Sequence, residues 1–335
     1  MAEEEQQDAV AKWGPVLLNR DERMGERMRA VFYLRTDGSE EAAETLCRAL
    51  AVKEDSSLLR HEVAYVLGQM QLASTVPSLA AILADVDDCA VVRHEAAEAM
   101  AAIAADVDQT LETLQAYCDD ARPEVSETCK LAVRRLEWVK ENPDARHEAE
   151  HSTAEGVDPA PALSGEQSLE ALGALLMDTN RPLFERYQAL FAIRNAASEA
   201  AAKASANDEG GEDAGSGSEK AILALAAGLS DTTSALFRHE VAFVLGELGE
   251  IGGPAVPALE ASLKNVNEHE MVRHEAAEAL GAVGTEECIA LLKQYLHDPE
   301  RIVAESCETA LDSINYWKDF EGAATAEPVV SGEAN

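Results

Sequence analysis

Four copies of one short phrase carry the residue types that do chemistry. They are Leu59-Arg60-His61-Glu62, Val92-Arg93-His94-Glu95, Phe237-Arg238-His239-Glu240 and Val272-Arg273-His274-Glu275. The histidines stand 33 residues apart in the first pair and 35 in the second, and His61 and His239 are 178 apart. Each copy follows an apolar residue and opens an Ala/Val-rich run with helical spacing. A His and the Glu after it point about 100° apart on a helix, so one copy closes a metal site poorly. One His from the first copy of a pair with the His and Glu of the next makes a two-His, one-carboxylate set. Such a set leaves coordination positions open and suits non-haem iron that activates dioxygen, although zinc and manganese accept the same ligand types. Doubling the set gives a two-metal centre.

The phrase is not a general folding device. The corresponding positions hold Arg27-Met28 near the start and Arg186-Tyr187 past the middle. The leading Arg is expected to pair with a carboxylate of a neighbouring unit. Two further glutamates, Glu98 and Glu278, lie one turn beyond His94 and His274 on the same face. They either orient the ligands or are solvated helix residues. Their presence where a second His would stand excludes an H-E-x-x-H zinc protease, and no Walker loop, dinucleotide fingerprint or G-x-S-x-G elbow occurs. His147-Glu148, His269-Glu270, His151 and His297 fall out of phase and are assigned no role.

The elements that position the phrases follow from internal repetition. Glu26–Arg35 matches Glu185–Arg194, 58–69 matches 236–247, and 92–100 matches 272–280. Tyr117, Glu127 and Cys129 match Tyr295, Glu305 and Cys307. Each unit reads as two short helices: Glu40–Val52 then 58–70, with Asp55-Ser56-Ser57 as turn and cap, and again Pro254–Lys264 then Val272–Val283. Units of this length built from two helices, without a tetratricopeptide-type aromatic signature, make an all-α solenoid of the HEAT type. The reading is eight hairpins in two pseudo-symmetric halves of four, over residues 1–140 and 166–318. An acidic, proline-containing linker over 141–165 separates them. A Gly/Ser/acidic insert over 201–219 is expected to be disordered, as is the tail over 319–335. Neither linker nor insert is expected to touch the site. Corresponding helices of a solenoid lie about 8–10 Å apart, so residues of equal phase form rows. If the halves face each other, four His and four Glu converge.

Composition bounds the partners. The net charge is −36. Residues 1–10, 141–158, 208–213 and 319–335 carry −17 of it, so −19 lies on the repeats. That argues against nucleic acid and favours a cationic partner, or serves solubility alone. Six scattered cysteines without a C-x-x-C read as reduced core thiols. The acidic start is no signal peptide, and no run approaches the roughly 20 apolar residues of a membrane span. A soluble, cytoplasmic protein is expected, with a nuclear presence as a secondary location.

At the four phrases the chain resembles the deoxyhypusine hydroxylase family, HEAT-repeat di-iron monooxygenases of eukaryotes. The resemblance covers 20–140 and 166–317. It implies two ferrous ions, dioxygen as co-substrate, and hydroxylation of the deoxyhypusine side chain of eukaryotic translation initiation factor five-A to hypusine. It also implies that His61, His94 and Glu95 hold one iron and His239, His274 and Glu275 the other. Glu62 and Glu240 would serve the substrate, and Gly68, Gly246 and Met271 would line its pocket. The residues agree with that division, because deoxyhypusine carries amines that are cationic at neutral pH. A Gly inside a helix costs about 1 kcal/mol against Ala, so Gly68 and Gly246 mark a close approach, by substrate or by a neighbouring helix. The alternative from another class is a non-catalytic HEAT scaffold binding a basic protein. A bilin-lyase-like solenoid is a third reading, without a chromophore site to support it.

Overall fold

The computed structural model describes residues 2–143, 157–165, 167–206 and 212–325. Among the described residues there are 16 α-helices and no strand. They pair into eight hairpins. The first half holds α1 (Ala2–Leu18) with α2 (Met24–Asp37), α3 (Glu40–Leu50) with α4 (Ser57–Met70), α5 (Val76–Ala84) with α6 (Ala90–Ile103), and α7 (Val107–Gln115) with α8 (Pro123–Glu141). The second half holds α9 (Leu169–Met177) with α10 (Leu183–Ala206), and α11 (Glu212–Ala227) with α12 (Ala235–Glu247). It ends with α13 (Val256–Lys264) paired with α14 (Glu270–Val283), and α15 (Glu286–Leu292) with α16 (Arg301–Thr325).

Local chemistry sets the helix starts. Ser39, Ser56, Ser168, Ser234 and Thr285 each accept a hydrogen bond from the backbone N–H three residues on. Each bond satisfies one of the four N–H groups that a helix leaves unpaired. The first helix of a hairpin is amphipathic. The second is buried nearly all round: in α6, residues 90–97 and 99–103 are all buried. A helix apolar on every side must lie inside, and these helices form the inner layer.

Each inner helix within a half packs on the next, and α8 meets α10 and α12. The last inner helix, α16, returns to α2 and α4, so the eight inner helices close a ring. The leading arginines bind its steps together. Arg60 donates from Nε to the carbonyl of Leu50, at the end of the preceding helix, at 2.8 Å. Its two Nη atoms fork onto Asp88, in the loop entering the next inner helix, at 2.7 and 2.6 Å. Arg27 with Asp55, Arg93 with Asp120 and Arg273 with Asp298 repeat the pattern, and Arg186 reaches Asp231 from the same phase. Arg238 forks onto Glu268 but turns to the carbonyls of Asp231 and Ser234. The expected pairing of the Arg is thus present at every step within a half.

Three expected segments differ. Residues 201–206 continue α10, and α11 already begins at Glu212, so helix replaces most of the anticipated disordered insert. Ala-rich sequence carries the helix through 196–206, because Ala loses least on entering a helix; residues 207–211 lie outside the described residues. The tail is helical through Thr325, and 326–335 lie outside the described residues. The expected linker is helical at 141, and His147, Glu148 and His151 fall outside the described residues. Its residues 157–163 pack against the ring, with Ala160 fully buried.

Candidate metal centre

His61, His94, His239 and His274 sit in the early turns of α4, α6, α12 and α14. Within each half the ring centroids are 5.5 Å (His61 to His94) and 5.4 Å (His239 to His274) apart. Between halves they are as close: 5.3 Å from His61 to His274, 5.4 Å from His94 to His239 and 5.8 Å from His61 to His239. The rows meet face to face, and the four imidazoles form one cluster. All four His and the four glutamates that follow them are buried.

Donor atoms gather as metal sites require. Those of His61, His94 and Glu95 lie within 4.8 Å of one another, as do those of His61, His239 and His274, and those of His274, Glu275 and Glu278. His61 Nε2 stands 3.2 Å from Glu95 Oε2, and His239 Nε2 stands 3.2 Å from Glu275 Oε2, the same relation in each half. Glu278 Oε1 approaches His274 Nδ1 to 3.5 Å while accepting from Ser306 Oγ at 2.8 Å. Glu278 therefore touches the cluster while its side chain stays 25% exposed. Glu62 and Glu240 differ although they are counterparts. Glu62 Oε1 lies 3.2 Å from His61 Nδ1, whereas Glu240 Oε1 is buried without a hydrogen-bond partner.

The donor set fits a metal. His61 Nε2 and both ring nitrogens of His94, His239 and His274 are buried and make no hydrogen bond. A buried polar atom left unpaired costs about 1–3 kcal/mol, so native interiors rarely keep several together without a ligand. Burial, reinforced by the neighbouring imidazoles, holds His94, His239 and His274 well below the ordinary histidine value. Neutral imidazole is the ligating form. At His61 burial pushes the same way, but Glu62 and Glu95 outweigh it and the pKa is raised. Burial raises Glu62, Glu240, Glu275 and Glu278, and pushes Glu98 up to about 8. Crowded carboxylates in a dry site favour a cation among them.

A cavity of about 340 Å³ opens on the cluster. Its wall includes Glu62, Glu98, Glu240, Tyr65, Phe243 and Asp158. Tyr65 and Phe243 meet edge to face at 5.7 Å. Neither belongs to a His-Glu phrase, yet both stand four residues after His61 and His239, on the same helix face. That spacing was the available signal. Asp158, Val157 and Pro159 come from the linker and line the same cavity, against the expectation that the linker stays clear of the site. No sequence pattern marks them, because their placement follows from the path of the chain between the halves.

Both glycines sit where a neighbouring helix comes close. A Cβ on Gly68 would lie 2.9 Å from Ala99 Cα, and one on Gly246 would lie 3.2 Å from Ala279 Cα. Gly246 also lines the cavity; Gly68 and the fully buried Met271 are not among the described residues that do. Of the out-of-phase histidines, His269 caps α14, its Nδ1 accepting from Met271 N–H at 3.3 Å, and His297 is exposed.

A family description for HEAT repeats matches residues 10–101 and 216–312. The deoxyhypusine hydroxylase of Danio rerio is 42% identical over 92% of both chains. That of Homo sapiens is 44% identical over 93% of this chain and 92% of its own. The chain belongs to the deoxyhypusine hydroxylase family. The solved structure of human deoxyhypusine hydroxylase in complex with glycerol superposes with a TM-score of 0.79 at 44% identity, covering 93% of this chain and 97% of that one. Family membership makes the chain a hydroxylating oxidoreductase of hypusine formation and sets aside the scaffold alternative. The HEAT architecture expected from the repeats is that of the family. No described helix is long and apolar enough to cross a membrane.

Proposed function

We propose that the chain is a non-haem di-iron monooxygenase that hydroxylates the deoxyhypusine side chain of eukaryotic translation initiation factor five-A, with dioxygen as co-substrate. The observation that carries the reading is the cluster of four buried imidazoles in which seven of the eight ring nitrogens lack a hydrogen-bond partner, ringed by carboxylates. His61, His94 and Glu95 hold one ferrous ion; His239, His274 and Glu275 hold the other. Dioxygen activation and transfer of one oxygen atom to a C–H bond is the chemistry that iron bound there supplies.

The remaining groups bind, orient and exclude water. A slender aliphatic amine fits a cavity of about 340 Å³. Tyr65 and Phe243 flank its methylenes, and Glu240, whose Oε1 has no hydrogen-bond partner, receives an ammonium. Glu62 steadies His61 and faces the same cavity, so it serves both ligand and substrate. Glu278, fixed by Ser306, orients His274. The net charge of −36 draws a basic protein towards the site and suits a cytoplasmic enzyme, which fractionation of cells would check.

The test is metal analysis of purified protein beside single-turnover hydroxylation of the deoxyhypusine-bearing factor. Two irons per chain, lost together with activity in His61→Ala, is the expected result. A folded protein that hydroxylates the factor without bound iron, or takes up no iron at all, overturns the assignment.

A further inference from the structure

The ring has two seams where the halves meet, and duplication makes them counterparts. At the seam between α8 and α10 the chain fills its own groove with residues 157–163. Arg135 Nε donates to the carbonyl of Asp158 at 2.9 Å, and Leu163 N–H donates to the carbonyl of Gln188 at 3.0 Å. Arg135 Nη1 also reaches the carbonyl of Ala101 at 3.0 Å. Arg194 forks onto the Asp158 carboxylate at 2.8 and 2.7 Å, and Val157 N–H donates to Gln69 Oε1 at 2.7 Å. Pro159 and Pro161 fix φ and stiffen the strap, which bends at 159–160. Its first residues, Val157 to Pro159, end at the wall of the His-Glu cavity.

At the seam between α2 and α16 the counterparts of Gln188, Arg135 and Ala101 are Arg29, Ser313 and Gly281. All three line a cleft of about 920 Å³ that no described segment fills. The cleft shares Phe32, Glu62, Glu278 and Ala282 with the His-Glu cavity, so one leads into the other. Its lining includes Phe32, Tyr33 and Trp317, which are 42%, 38% and 57% exposed. Exposed aromatics at the edge of a cleft are the residue types that anchor protein partners. Glu62, Glu250, Glu278 and Asp312 outnumber Arg29 and Lys318 in its lining, and Arg29 is already paired with Asp312, so the cleft is acidic on balance.

We propose that this cleft is the docking groove for a basic segment of the protein substrate, lying there as residues 157–163 lie in the opposite groove. The segment's cationic side chain passes Glu62 and Glu278 into the His-Glu cavity. The proposal rests on the hydroxylase reading above and adds the route by which a protein reaches a buried centre.

The test titrates the iron-loaded full chain, without dioxygen, with the deoxyhypusine-bearing factor, reading Kd by fluorescence anisotropy and iron by metal analysis. Trp317→Ala removes an anchor and Ser313→Trp fills the groove; each raises Kd about tenfold or more while iron content holds, as loss of a hot-spot contact does. Val266→Ala, at a site 73% exposed and outside the groove's lining, leaves Kd unchanged. Kd within twofold of the parent for both groove variants overturns the proposal. So does tighter binding on deletion of 326–335, which would make the chain's own end the occupant. A parent that loads iron but does not bind the factor overturns the substrate assignment itself, and this route with it.

Discussion

At the level of single residues, the site is built from side chains that would be costly anywhere else in the fold. Unpaired imidazoles and crowded carboxylates of this kind would be relieved by a cation bound among them, as the proposed function requires. Glu240→Ala should keep both irons and raise KM for the factor at least tenfold, while His94→Ala should lose iron; steady-state kinetics beside metal analysis separate the two roles. The glycines make a second residue-scale case. Gly68→Ala gains about 1 kcal/mol of helix propensity but drives a methyl to 2.9 Å from the Ala99 Cα. Overpacking of that kind costs about 1–3 kcal/mol, so net destabilisation is expected in urea unfolding. Gly246→Ala, at 3.2 Å from Ala279 Cα, should be close to neutral. The His-Glu phrases were legible because four copies at one phase are a pattern. Tyr65 and Phe243 shared the phase but lacked the chemistry that draws attention, and Asp158 had no pattern to belong to.

At the level of helices, the arginine forks fix each step. Arg60 is 2% exposed and its partner Asp88 is buried with it, so removing one member strands a charge. Breaking a buried pair costs about 3–5 kcal/mol, and Asp88→Ala should lower the unfolding free energy by that order. Burial alone would raise Asp88, but the Arg60 fork and the Cys89 N–H outweigh it and hold the carboxyl below its ordinary value of 3.8. A depressed carboxyl contributes stability above its unfolded pKa and loses it as pH falls through the folded one. Stability should therefore decline as pH drops below about 3.8, and Asp88→Asn, already destabilised, should decline less steeply. Denaturant titrations at several pH values measure both. The period of the apolar residues and the Ser caps made the hairpins readable. The insert over 201–219 was not readable, because its Gly/Ser composition resembles a loop while helices adjoin both its ends.

At the level of the whole molecule, the halves are held across their seams by matching devices. Ser56, which caps α4, donates to Glu305 at 2.5 Å, and its counterpart Ser234, which caps α12, donates to Glu127 at 2.6 Å. Each half thus steadies the first His-Glu helix of the other. Tyr33 and Tyr316 hydroxyls, 3.0 Å apart, add a link at one seam, and Arg29 pairs with Asp312 there. Metal binding should draw on the same closure. Chelation is expected to lower Tm, and Glu127→Ala with Glu305→Ala should weaken iron retention without touching a ligand; calorimetry and competitive chelation would show it.

The amino-acid sequence alone determined the all-α class, the eight hairpins, their division into halves and the phase of the His-Glu phrases. Those features rest on contacts between neighbouring units, which recur at a short interval and so leave a period in the chain. The tertiary structure decided the rest. Whether His61 meets His274, which groove the linker fills and which stays open, and whether a glycine admits a helix or a substrate depend on how small rotations accumulate around the ring. No local pattern encodes that sum. It brings together residues more than half the chain apart, and their meeting makes the centre.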